Sequence, residues 1–377
     1  MAKGADISGV QDSSTFPLSG AVRALMLFEI AEEIDLAYVH RTLGTIPSKR
    51  EPAFRHPAPE YVRYERAPVV DAIGQCDTYE GQPVTARIRY FDYGVASVEL
   101  QMPVCCGWDD LLRLGHQWMS SAELEKRSSE LLRERLAPLR PALKKPNDSW
   151  ISEDYYIIQV NPIIVDGTAL TSEQLLGSYG SEIAQLVRGE EAPLSTTEEQ
   201  EVLRSTMSYY ASDLLVVAWV AAFVYDTEFG ASPTIDLLEY ANSQLLEFRY
   251  YDEVLTRVLA DVYKRLENKR HLWPQWRLAR QAEELNTIRL DYRELAERTD
   301  NAIKFISDMF YARAYRLAAA RIGVSDYRNL VTDKLATARD LYDSMMNEFH
   351  QSRAFVLELM VVIILVIEIV FLFRGKA

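Results

Sequence analysis

Histidine and cysteine, the usual metal ligands and frequent nucleophiles, are scarce here, with five and three in 377 residues. The histidines, at 40, 56, 116, 271 and 350, show no H-E-x-x-H or other ligand spacing. Cys76 stands alone and Cys105 and Cys106 are adjacent, which offers neither a disulfide framework nor a C-x-x-C metal pair. Cys105 and Cys106 read as small buried thiols beside a strand end; a metal shared with His116 is the sharper and less economical alternative. Also lacking are the phosphate loop G-x-x-x-x-G-K-[ST] and a strand-linked G-x-G-x-x-G, and Gly177-Ser178-Tyr179-Gly180 is too sparse to cradle phosphate. No Ser-His-Asp set can be nominated. The expectation is a protein that is not an enzyme, with no catalytic residues, no cofactor and no metal.

Positive charge is in deficit as well. Fifty-five acidic against 41 basic residues give a net charge of −14, which opposes long-range attraction to phosphate backbones, so no direct nucleic-acid partner is expected. The locally basic stretch 41–66 reads as a solvated face. The first residues, MAKGADISGVQDSSTF, contain no apolar signal core and are not an Arg-rich, acid-poor presequence. Residues 1–20 are expected to be a disordered lead.

What is present falls into two textures. Residues 21–230 mix strand and helix signals and are expected to form an α/β head. Residues 21–34 read as a strand, with Asp35 capping a short helix that ends near Gly44. Six prolines between 45 and 83 predict loop with at most short strands. Asp92-Tyr93-Gly94 interrupts an alternating run and predicts a hairpin or bulge between two strands. Trp108 begins a helix, and Ser120-Ser121-Ala122-Glu123, Thr171-Ser172-Glu173-Gln174 and Ser195-Thr196-Thr197-Glu198 carry capping-box spacing ahead of three more. The apolar run 214–225, about twelve residues long, suits a buried strand.

From Ser232-Pro233 onward strong breakers nearly vanish, with Pro274, Gly323 and Gly375 the exceptions. This predicts three long helices, over about 233–270, 274–322 and 325–373, each with a heptad seam. The first seam runs through Leu238, Ala241, Leu245, Phe248, Asp252, Leu255, Leu259, Val262 and Leu266. The second starts at Leu285 and ends at Met309. The third is Val331, Leu335, Ala338, Tyr342, Met345, Phe349. Residues 231–353 are thus expected to be an antiparallel coiled-coil stalk.

The third seam runs without a break into residues 354–373, AFVLELMVVIILVIEIVFLF. Twenty residues at about 1.5 Å each give roughly 30 Å, enough for one membrane span. Arg353 precedes the run, and Arg374 and Lys376 follow it in the short basic tail 374–377. Glu358 and Glu368 lie within it, where a central charge costs about 2.5 kcal/mol or more. About 80° separates them around the helix axis, so both fit one face and are candidates for packing spans together. The fold expected is α+β: an α/β head, a coiled-coil stalk and one C-terminal transmembrane helix.

In Leu357-Glu358, the aliphatic run and Ile367-Glu368-Ile369, supported by the 21–34 strand and by Tyr90-Phe91-Asp92-Tyr93-Gly94-Val95, the chain resembles the family called required for meiotic nuclear division. Leu359 stands where an aromatic is expected. The resemblance implies a membrane-tethered homo-oligomer whose mitochondrial relatives hold ribosomes at the inner membrane; it carries no catalytic residues. The function expected is a tail-anchored scaffold with the lipid bilayer, further copies of itself and a large protein or ribosomal partner as its contacts. Its expected location is the inner membrane of a bacterium, single-pass with the N-terminal bulk in the cytoplasm, or alternatively the mitochondrial inner membrane. The alternative function is an oligomeric cation channel laid out like CorA-type magnesium channels, although their Gly-Met-Asn loop and second span are absent.

Overall fold

The computed structural model describes residues 17–44, 67–79, 81–267, 290, 293 and 309–374. The chain divides into two compact units, Met1–Tyr250 with Ala296–Tyr327, and Tyr251–Leu295 with Arg328–Ala377.

The first unit is built on β1 (Leu18–Glu29), whose buried, mostly apolar residues put it at the centre of a sheet. β1 is flanked antiparallel by β5 (Val95–Cys106) and β7 (Ser152–Val160). Beyond β5 lie β4 (Gln82–Tyr90) and, at the edge, β3 (Val69–Tyr79). Beyond β7 come β12 (Ala221–Tyr225), parallel to it, then β11 (Leu214–Val217) and β10 (Thr206–Met207). The eight-stranded sheet is therefore mixed. Two small ladders, β2 (Ala31–Ile34) with β6 (Leu143–Pro146) and β8 (Ile164–Val165) with β9 (Thr168–Ala169), stand beside it.

Strand alternation divides the sheet into two faces. Val22, Ala24, Met26 and Phe28 of β1, with Val98 and Leu100 of β5 and Ile158 of β7, join one apolar core with α2 (Trp108–Met119), α3 (Ala122–Leu136) and α4 (Ser172–Arg188). Trp108 stacks on Tyr179 of α4 at 4.8 Å and sits 6.1 Å from Phe223 of β12, tying two helices to the sheet. The opposite face receives the first half of α6 (Glu228–Glu267), and α7 (Met309–Ile322) packs against α6 through a Tyr240–Tyr315 ring contact at 6.2 Å. The result is a three-layer arrangement with helices on both sides of the sheet.

Several local signals act as expected. Asp35 accepts from the amides of Ala37 and Tyr38 at the start of α1 (Leu36–Leu43), and Gly44 closes that helix in the left-handed region at φ 63°. Thr171 and Gln174 form both halves of a capping box on α4. Ser195 caps α5 (Thr196–Leu203), whereas Ser121 precedes α3 without a side-chain cap. The hairpin at Asp92-Tyr93-Gly94 joins β4 to β5, with Gly94 at φ 97°.

Other expectations are corrected. The proline-rich stretch 45–83 contains β3, an 11-residue edge strand, between Pro68 and Pro83. Run 214–225 is two antiparallel strands, with Trp219 exposed in the turn between them. Helix α6 starts at Glu228 and takes Pro233 inside its second turn. Cys105 is exposed and Cys106 half-buried, so they are not the buried thiols expected. His116 places Nδ1 2.8 Å from the Gly189 carbonyl oxygen.

The largest correction concerns the stalk and the span. Leu238, Ala241, Leu245 and Phe248, read as a coiled-coil seam, are at most 1% exposed within the sheet-bearing unit. The faces of α6 beside them are buried too, which a two- or three-stranded coil would leave in water. Of the second seam, Met309 alone lies among the described residues, and it is exposed. No long antiparallel coiled-coil stalk forms among the described residues. In the second unit, α8 (Val324–Arg374) buries Val331 and Ala338 and half-buries Leu335; Lys334 reaches Asp252 at 2.6 Å and Thr256 at 2.6 Å on the second half of α6. The side chains of Tyr342, Met345, Phe349, Arg353 and Arg374 lie outside the described residues.

Among the described residues no helix is long and apolar enough to cross a membrane. This overturns the transmembrane helix at 354–373, and with it the single-pass placement in a bacterial or mitochondrial inner membrane. Physically, Glu358 and Glu368 are both exposed and leave nine uncharged residues between them. At 1.5 Å per residue that is roughly 14 Å, about half a hydrocarbon core.

Candidate functional site

Three features of the chain carry chemistry beyond ordinary packing: a charged layer beneath α6, a cleft at the start of α6, and an apolar collar near the end of α8.

The charged layer arises from the second face of the sheet. Arg23 of β1, Arg87 and Arg89 of β4 and Glu99 of β5 alternate with the core residues and therefore point at α6, which answers with Asp236 and Glu239 one turn apart. Arg23 Nε lies 3.2 Å from Glu99 Oε1, and Arg87 binds the other oxygen of Glu99. Arg89 reaches Asp236 at 2.6 Å and Glu239 at 2.9 Å. Glu99 and Glu239 are at most 2% exposed. Burial pushes the Glu239 carboxyl up, opposed by Arg89 and then Arg87. Burial likewise lowers Arg23, with the Glu99 charge opposing it. Three guanidinium groups face three carboxylates, so the layer is close to neutral as a set.

Next to it lies a pair of carboxyls. Glu29, at the end of β1, is buried against Glu247 of α6. Burial first, then the Glu247 charge and a hydrogen bond between the two groups, hold Glu29 well above the usual carboxylate range, so the pair keeps a proton. Tyr93, from the hairpin turn, sets its hydroxyl 2.6 Å from Ser243 Oγ, and its own ionisation is pushed well up by burial. Gly94 follows because a side chain there would strike the Ala31 carbonyl oxygen and crowd Glu29.

The cleft opens where the β10–β11 loop, the start of α6 and the start of α7 meet. It holds about 520 Å³ of empty space counted out to open solvent. Four rings form its wall in an edge-to-face chain: Tyr210 to Tyr209 at 4.7 Å, Tyr209 to Phe310 at 5.1 Å, and Phe310 to Tyr311 at 5.4 Å. Asp213 and Asp226 also line it. The Asp213 carboxylate accepts from the Tyr209 and Tyr210 amides at 2.7 and 3.0 Å, which fixes the loop that carries both rings.

The collar is the stretch 360–366 of α8, seven consecutive apolar residues each 49 to 56% exposed. Seven successive positions cover every side of a helix, so the collar has no polar face. Glu358 and Glu368, singled out from the sequence, are both exposed and bracket it.

None of these sites was assembled correctly from the sequence. The seam residues of α6 were recognised as buried, but the acids beside them were not recognised as partners of strand arginines. The available signal was the match of two periods: charges two apart on β4 (Arg87, Arg89) and polar groups three and four apart on α6 (Asp236, Glu239, Ser243, Glu247). The cleft unites residues about a hundred positions apart and leaves no local signature.

Among known proteins, the chain is 21% identical over 191 residues to the uncharacterized protein MJ0711 of Methanocaldococcus jannaschii, covering 50% of this chain and 58% of that relative. The chain thus spans less than two thirds of the relative's length. No solved structure matches it at a significant level. These findings do not bear on the resemblance to the meiotic nuclear division family. The matched stretch, residues 19–232, takes in all eight strands of the main sheet and stops within the first turns of α6, and on that match the chain belongs to the family described as uncharacterized protein MJ0711, N-terminal domain.

Proposed function

We propose that the protein is a self-associating scaffold whose copies meet through the C-terminal part of α8. The observation that carries this reading is the collar at 360–366, half-exposed on every side. It leaves on the order of 600 Å² of contiguous apolar surface in the lone chain, the upper end of what monomers tolerate. One neighbouring helix covers a stripe of roughly 100°, so an apolar surface on all sides calls for several neighbours. Further copies of α8 supply them with matched length. In a parallel arrangement Glu358 and Glu368 of each copy come level with their counterparts. The sheet-bearing unit would then be displayed in several copies as a platform for a large partner.

Sedimentation equilibrium of the full chain tests this. The expected result is a discrete oligomer that dissociates when Val362 and Leu365 are both replaced by Lys. A monomer at every concentration up to about 100 μM, tenfold or more above a typical weak oligomer constant, would sink the proposal. So would recovery of the chain with lipid vesicles in place of the oligomer.

A further inference from the structure

We propose that the cleft at the start of α6 binds a small organic cation carrying an ammonium group, methylated or primary. Three properties of the cleft converge on this ligand class. Its wall is the chain of four rings Tyr210, Tyr209, Phe310 and Tyr311, each nearly perpendicular to the next. Perpendicular neighbours cannot all show their edges to one space, so such a corner presents electron-rich ring faces as well as edges, and ring faces attract cations. Its charged lining is Asp213 and Asp226, with no lysine or arginine among the residues that line it. The aromatic rings are not sealed in the core: Tyr209 is 50% and Tyr210 37% exposed, so the space is open to a ligand.

The competing reading is an anion at the N-terminus of α6, where free amides and the helix dipole attract negative charge. The residues there work against it. Thr227 already caps the helix, its Oγ1 accepting from the Gly230 amide at 3.1 Å. Asp226 accepts from the Thr227 amide at 2.7 Å and stands at the very end of the dipole, followed by Glu228. An incoming anion would meet two carboxylates before it met an amide.

A metal ion is a weaker occupant for the same cleft. Both carboxylates are engaged by backbone amides, Asp213 with both oxygens, so neither is presented as a free chelating pair. A soft organic cation needs only their field together with the ring faces.

The test is titration of the full chain with choline chloride, followed by saturation transfer to the choline methyl groups. Uncharged 3,3-dimethylbutanol, which has the same shape, serves as the control in the same assay, and butylammonium chloride as the primary-amine probe. Saturable binding is expected for choline or butylammonium, at least about tenfold tighter than for the alcohol, a factor typical of a desolvated cation–ring contact. Phe310→Ala and Tyr210→Ala are each expected to weaken it by about tenfold while far-ultraviolet circular dichroism stays unchanged. Equal binding of the alcohol would make the cleft an apolar pocket and overturn the proposal. Failure of both ammonium probes to saturate by about 50 mM, a dissociation constant weaker than any useful site, would overturn it as well. The comparison with the alcohol uses the unmodified protein, so it stands even if a variant does not fold.

Discussion

Replacing Glu29 by Gln takes the extra proton out of the buried carboxyl pair while keeping its shape. Glu29 is 1% exposed, and burial together with Glu247 holds its pKa well above the ordinary value. The folded state therefore binds a proton that the unfolded chain releases near pH 4.3. Where the folded state holds more protons than the unfolded one, stability falls as pH rises. The contribution is complete below the unfolded pKa and is lost progressively as pH climbs towards the folded pKa. For one proton the slope is about 1.4 kcal/mol per pH unit wherever the folded state keeps the proton that the unfolded chain has released. A glutamine side chain offers a permanent N–H in place of that proton and has no such slope. Urea unfolding of the wild type and the Glu29→Gln variant at pH 5, 6 and 7 measures the difference directly. The variant is expected to gain on the wild type as pH rises over that range, by up to about 1.4 kcal/mol per pH unit. A difference that stays constant with pH would refute the shared proton and would leave the pair as two separately compensated carboxylates.

Two further substitutions test how α6 is held. Arg89→Met removes the closer of two guanidinium groups from both Asp236 and Glu239, leaving Arg87 at 3.7 Å from Glu239, and weakening that buried pairing is expected to cost about 3 kcal/mol in thermal or urea unfolding. Adding Glu239→Leu to that variant is expected to restore much of the loss, and a double variant no better than the single one would argue against the pairing. Gly94→Ala places a Cβ against the Ala31 carbonyl oxygen at a backbone φ of 97°, so a loss of about 3 kcal/mol or more, read as a lowered unfolding midpoint or poor soluble yield, is expected.

Local chemistry was the legible part of this fold. A carboxylate two and three residues ahead of free amides made Asp35 a cap, a threonine three residues ahead of Gln174 made a capping box, and Gly94 and Gly323 marked a hairpin and a helix break. Each is decided by atoms within about four residues. Strand β3 was not legible, because its exposed residues and two register shifts against β4 erase the alternation that identifies a strand. The turn inside 214–225 was hidden for the opposite reason: Ala218-Trp219-Val220 contains no turn residue and joins two strands that are buried on both faces. In the cleft, Tyr209 and Phe310 acquire meaning only after the sheet and α7 have been brought together.

Helix α6 shows why a heptad seam by itself does not name its partner. Leu238, Ala241, Leu245 and Phe248 would satisfy either another helix or the apolar positions of a sheet. The residues that decide are the polar ones beside them: Glu239, Asn242, Ser243, Gln244 and Glu247, all at most 4% exposed. In a coiled coil these positions would face water, so their burial needs partners of matching polarity on two sides. The sheet supplies Arg87, Arg89, Tyr93 and Glu29 on one side, and Tyr315 of α7 bonds Gln244 on the other. Sliding α6 by one turn, about 5.4 Å, would part Arg89 from Glu239 and Tyr93 from Ser243. A buried carboxylate left without its guanidinium costs a few kcal/mol for each broken pair. The charged layer thus contributes little to holding α6 on the sheet and much to deciding where along the sheet it sits, which is the distinction that the paired substitutions at Arg89 and Glu239 measure.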